Sequence, residues 1–213
     1  SNSKVDNSYA IGHLAKSEGI SSYAIGDGAN SKVDNSYAIG FIAESEGISS
    51  YAIGSVAKSK GLFSYAIGDH AKSEGDSSYA IGNNANSKGK YSYAIGYYAT
   101  SEEYFSYAIG FSAESKSLTS ISLGSFSEDK IEESINTKGN IKYNNERVNG
   151  VNFKFYEGKS ENRTLKMINP TGYDENKLSV LSIGNENYNR RIQNLAPGLI
   201  GPKSTDAING SQL

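Results

Sequence analysis

The sequence predicts an all-β solenoid, a flattened two-sided parallel β-roll built from fourteen-residue coils. Two observations carry this. The five letters Ser-Tyr-Ala-Ile-Gly at Ser8 to Gly12 return at a constant interval, at Ser22, Ser36, Ser50, Ser64, Ser78, Ser92 and Ser106, and a worn copy follows at Ser120 to Gly124. Between copies the frame keeps an alanine, from Ala15 to Ala113, and a serine two positions later, from Ser17 to Ser115. A period held without insertion over about 120 residues marks one stacked unit per repeat.

Within each copy, serine and alanine face one way while tyrosine and isoleucine face the other, as alternation along a strand requires. Fourteen residues leave room for two strands of about four or five residues and two tight turns. At about 4.8 Å per coil, nine coils make a rod of roughly 43 Å with identical residues stacked in rows. The tyrosine and isoleucine row comprises Tyr9, Ile11, Tyr23, Ile25, Tyr37, Ile39, Tyr51, Ile53, Tyr65, Ile67, Tyr79, Ile81, Tyr93, Ile95, Tyr107 and Ile109. A narrow roll accommodates the alanines and little else, so this ladder is expected on the outside, where an apolar strip of that size marks a contact between copies. The alternative places it in the protomer's own core with the alanines outward.

The first four coils read as a duplicated pair, with Asn2 to Gly12 repeated at Asn30 to Gly40. Later coils place Leu62, Phe63, Tyr91, Tyr97, Tyr98, Tyr104, Phe105 and Phe111 at turns flanking the conserved strand. Rings at exposed turns bury much area at small entropic cost, which makes these eight the candidate residues of a binding surface. Stapling of the turns, or of a subunit contact, is the competing reading.

Catalytic chemistry is missing from the pattern. The two histidines, His13 and His70, follow the repeat glycine of separate coils and have no ligand-spaced partner, so no metal is expected. Glu18, Glu46 and Glu74 share one repeat position and read as a solvated row. No phosphate loop, dinucleotide fingerprint or calcium-binding nonapeptide occurs, and no cofactor is expected. A net charge of -2 without basic runs gives no nucleic-acid footprint. With no cysteine there is no disulfide or thiolate chemistry. No apolar stretch approaches the roughly 18 residues of a membrane span, so any signal or membrane anchor is expected outside this segment.

The Ser-Tyr-Ala-Ile-Gly coils resemble the Asn-Ser-Val-Ala-Ile-Gly repeats of YadA-like heads in trimeric autotransporter adhesins, the type V secretion class, with tyrosine where that family usually has valine. Residues Arg191 to Gly198, then Thr205 to Asn209 and Gln212-Leu213, look like the neck that joins such heads to a coiled-coil stalk. The resemblance implies a left-handed roll in a homotrimer. It also implies display on the bacterial surface from an outer-membrane anchor, and binding of a host receptor or matrix protein without catalysis. Collagen, fibronectin, laminin and immunoglobulin-like receptors are all ligands within the family. A non-binding spacer, an ice-binding roll showing its serine row, and a carbohydrate-active solenoid are the other readings.

The expected organisation is a head at 1–124, an insertion at 125–180, a last coil and neck at 181–203, and the start of a stalk helix at 204–213. In the insertion Val151, Phe153 and Phe155, then Leu165 and Met167, alternate as strands do, whereas Ile131 and Ile135 fit a helical turn. Ser179 to Gly184 echoes Ser120 to Gly124. Ser204 or Thr205 is placed to cap the stalk helix.

Overall fold

Each repeat contributes one short strand to each of two parallel sheets that lie face to face. A computed structural model describes residues 1–129, 181–199 and 206–212, together with the backbone of 147–148 and 151–152. Among these residues the narrow sheet has nine two-residue strands, from Asn2–Ser3 to Glu114–Ser115, and the wide sheet has ten. The wide strands run from Tyr9–Ile11 to Ile121–Leu123 and close with Leu181–Ser182. Neighbours pair exactly one repeat apart, Tyr65 with Tyr79 and Ser73 with Ser87 for example, so every column holds one repeat position. The strands are shorter than the four or five residues expected, because turns take up the rest of each coil.

The interior explains the invariant small residues. Ala15, Ala24 and their equivalents to Ala113 are fully buried, as are the paired serines from Ser17 and Ser22 onward. The Ser22 hydroxyl donates to the Gly19 carbonyl at 2.6 Å, and the Ser17 hydroxyl donates to the Ser22 carbonyl at 2.8 Å. Equivalent contacts recur coil after coil, for instance at Ser59 and Ser64, so the paired serines are satisfied within the roll. Since these serines are fully buried, they cannot form the flat outer row that an ice-binding reading needs.

The repeat glycine is required twice over. Gly54 has φ +138, and a Cβ there would lie 2.3 Å from the Gly68 carbonyl oxygen of the next coil. No side chain fits between coils at that corner. The turns also hold non-glycine residues in the left-handed region, including Ile42, Val56, Phe63, Tyr91, Tyr98, Phe105 and Phe126, all with φ between 52 and 59. Bulky or β-branched residues rarely occur there.

The roll is closed at its far end by chemistry the repeat does not contain. Asp129 stands where coils carry the buried serine, and its carboxylate accepts the Lys116 and Ser117 amides at 2.7 and 2.9 Å. Leu181 and Ser182 pair with Ile121 and Ser122. The Arg190 guanidinium donates to the Ile183 carbonyl at 2.6 Å and to the carbonyl of Ser125. Val151 lies in a two-residue strand antiparallel to Arg147–Val148. Ile131, Ile135, Phe153, Phe155, Leu165, Met167, Ser204 and Thr205 lie outside the described residues.

No helix begins in 206–212: Asn209 to Gln212 is a turn, and Gln212 Nε2 donates to the Gly198 carbonyl at 2.6 Å while its Oε1 accepts the Gly198 amide at 2.8 Å. The start of a stalk helix expected at 204–213 is not seen among the described residues 206–212.

Candidate binding surfaces

Tyrosine and isoleucine line the outer face of the wide sheet, since the alanines between them point inward. From Tyr9 to Tyr107 the phenol rings stack in an unbroken file, with centroids 4.6 to 5.0 Å apart and planes within 14°. Burial, and then the neighbouring phenols of Tyr37 and Tyr65, hold the Tyr51 hydroxyl above its ordinary pKa. In a single chain this face remains half-exposed along its length.

Beside the narrow sheet runs a row of alternating charge: Lys4, Glu18, Lys32, Glu46, Lys60, Glu74, Lys88, Glu102 and Lys116. Lys4 meets Glu18 at 2.7 Å, Lys88 meets Glu102 at 2.9 Å, and Lys32 pairs with Glu46. The three glutamates expected as a solvated row are thus members of an ion-pair file whose period is two coils. Each exposed pair is worth at most about 1 kcal/mol, but a ladder of one sign would repel. His13 lies 3.0 Å from Asp27, and His70 lies 2.9 Å from Asp69. Among the described residues no group of three or more histidines and carboxylates gathers to hold a metal.

The eight candidate receptor residues do not form one patch. A coil has two turns, at opposite edges of the flat roll. Leu62, Phe63, Tyr91, Tyr104 and Phe105 occupy the turn leading into the wide strand, whereas Tyr97, Tyr98 and Phe111 occupy the turn leaving it. On the first edge Tyr91 stacks on Phe105 at 5.0 Å, while Leu62 and Phe63 are cut off by the coil carrying Asp76 and Ser77. The Lys90 ammonium bonds to Asp76 at 2.9 Å and, with the Leu62 amide, lowers the Asp76 pKa.

The second edge is longer than the sequence reading allowed. Tyr97 meets Tyr98 edge-on and stacks on Phe111, Phe111 meets Phe126, and Phe126 stacks on Tyr188. Phe126 is two coils beyond Tyr98 in the same column, so following the repeat frame past the worn copy finds it. No periodic signal finds Tyr188. Phe41, also exposed on this edge, belongs to the Tyr97 column but stands four coils earlier, in the duplicated half.

Comparison with known proteins finds relatives of the coils and of the fold. The YadA head domain repeat matches residues 6–29, 17–43, 45–71, 59–85 and 73–99. Among solved structures the chain is similar to the collagen-binding domain of the Yersinia adhesin YadA, with TM-score 0.68 and 22% identity, covering 98% of this chain and 96% of that one. No curated protein sequence matches the chain significantly. At that identity the likeness speaks for the fold, while the repeat matches show that the coils within residues 6–43 and 45–99 are similar to the YadA head domain repeat.

Proposed function

We propose that three copies of this chain pack their tyrosine and isoleucine faces together into an adhesin head, displayed from the bacterial outer membrane by an anchor outside this segment, that binds a host protein. The observation that carries the reading is the outer face of the wide sheet. Across its described strands it presents stacked apolar columns, and its ends are the most open: Ile11 is 59% exposed and Leu181 is 64% exposed. An apolar strip of this length is normally covered by a partner. Further on, Ile192, Leu195, Leu199 and Ile208 are also exposed, extending the same demand into the neck.

Adhesion follows from what such a rod offers: rigid rows of side chains, presented once per subunit, so that weak single sites add through multivalency. Among the described residues no grouping of side chains supports catalysis. The similar Yersinia domain is described as collagen-binding, which makes an extracellular-matrix protein the leading ligand, with an immunoglobulin-like receptor the second. Purified chain applied to immobilised collagen, fibronectin and laminin, and to host cells, separates these. Saturable retention on a matrix protein is the expected result, retention on cells alone selects a receptor, and retention on neither overturns the adhesin reading.

A further inference from the structure

The five-ring edge carries more than apolar area, because its rings are turned in two directions. Tyr97 and Phe111 lie one coil apart and stack within 6°, so their planes stand across the rod axis. Tyr98 is turned 80° from Tyr97, and Phe126 is turned 68° from Phe111, so both of these planes lie along the rod. Tyr188 covers Phe126 at 17° from parallel and repeats its orientation. The edge therefore holds two flat platforms, Tyr98 at 50% exposure and Tyr188 at 52%, set along the axis. Tyr98 and Phe126 are two coils apart, about 10 Å at the ladder spacing.

The turns that carry Tyr98 and Phe126 are neutral, while the turn that carries Tyr188 also holds Glu186. In the two turn columns the coils from Asn83 to Phe126 carry Asn83, Asn84, Ser112 and Ser125 beside the rings and no charged side chain. Ser112 sits in the column between Tyr98 and Phe126. Arg190, the nearby cation, is engaged by the carbonyls of Ser125 and Ile183. Tyr98 and Phe126 sit at φ 56 and 59 in a column that holds Leu14, Ile42, Val56, His70, Asn84 and Ser112 in the same backbone region, so the turn accepts many side chains and does not itself call for rings.

We propose that Tyr98 and the Tyr188–Phe126 pair form a binding site for a neutral, extended oligosaccharide. A pyranose has an apolar C–H face and a rim of hydroxyls. The face is attracted to the negative face of an aromatic ring, and the rim needs uncharged donors and acceptors such as Ser112 and the tyrosine hydroxyl. Two platforms two coils apart match a chain in which alternate sugars turn the same face to the protein. This inference rests on the adhesin reading, since it makes the sugar chains of a host glycoprotein the group that this edge recognises.

Titration calorimetry of the full chain with β1,4-linked glucose and N-acetylglucosamine oligomers, from disaccharide to hexasaccharide, tests it. At least one series should bind, with the hexasaccharide at least tenfold tighter than the disaccharide because it spans both platforms. Tyr98→Asn, which installs the residue this column already holds at Asn84, and Tyr188→Ala should each weaken that binding at least tenfold with Tm unchanged. Tyr104→Ala, on the opposite edge, should not. Absence of binding at millimolar sugar, or binding unaltered in both variants, overturns the proposal. Adherence to host cells that survives enzymatic removal of their glycans overturns it too but leaves the adhesin reading standing, whereas failure of the native chain to adhere to any cell or matrix protein overturns that reading itself.

Discussion

Phe126 and Tyr188 stack with their ring centroids 5.0 Å apart although they are remote from one another along the chain. The contact exists because Leu181–Ser182 adds to the wide sheet as its tenth strand, which brings the following turn over the last corner of the roll. A side chain outside the repeat thereby extends a row that the repeat began.

The two faces of the wide strand should respond differently to charge. Ala52→Asp places a carboxylate in an interior filled by alanines and self-paired serines, and should unfold the roll locally at a cost of several kcal/mol. Ile53→Asp lies on the outer face and should leave the isolated roll folded while preventing association. Circular dichroism with sedimentation on both variants checks this, and equal loss of fold in the two would mean that Ile53 is also a core residue.

Closure of the roll should depend on Asp129. Its replacement by alanine leaves the Lys116 and Ser117 amides without an acceptor, a loss of roughly 1 to 3 kcal/mol. Hydrogen exchange should show the damage confined to the coils nearest Asp129, because each coil contacts only its neighbours. Uniform loss of protection along the rod would contradict this placement.

Acid should weaken the rod through its ion-pair rows. Lys58 lowers the pKa of Glu44, Lys90 lowers that of Asp76, and Lys4 lowers that of Glu18. A carboxylate whose folded value is depressed contributes stability that is complete above its unfolded value, about pH 4. That contribution is lost as the pH falls through the lower folded value. Tm should therefore hold from about pH 7 to about pH 5 and fall below about pH 4, with a shallower fall in Glu44→Gln. Each pair is largely exposed and contributes little alone, so the trend should emerge from the rows, not from one residue. A Tm that rises on acidification contradicts the assignment.

The roll was legible because one frame governs everything from Tyr9 to Gly124: alanine and serine alone fit between the sheets, and glycine alone fits the corner. The edge assignment was legible in principle, since Tyr98 and Tyr104 occupy different places in the repeat frame, but grouping rings by sequence neighbourhood merges two opposite edges. The alternating Lys4-to-Lys116 file escapes a one-coil reading because its period is two coils. Tyr188 has no sequence signal at all, as its place depends on a strand that returns from outside the repeat. The expected helix start at the carboxyl end rests on capping residues, with too little of a helical period after them to read.

The central claim is that the tyrosine and isoleucine face is made to be covered by other copies of the same chain. Multi-angle light scattering of the purified, folded chain tests it most directly. Association of three copies predicts three times the 22.8 kDa of one chain; a folded species that keeps the single-chain mass over the whole accessible concentration range would contradict it.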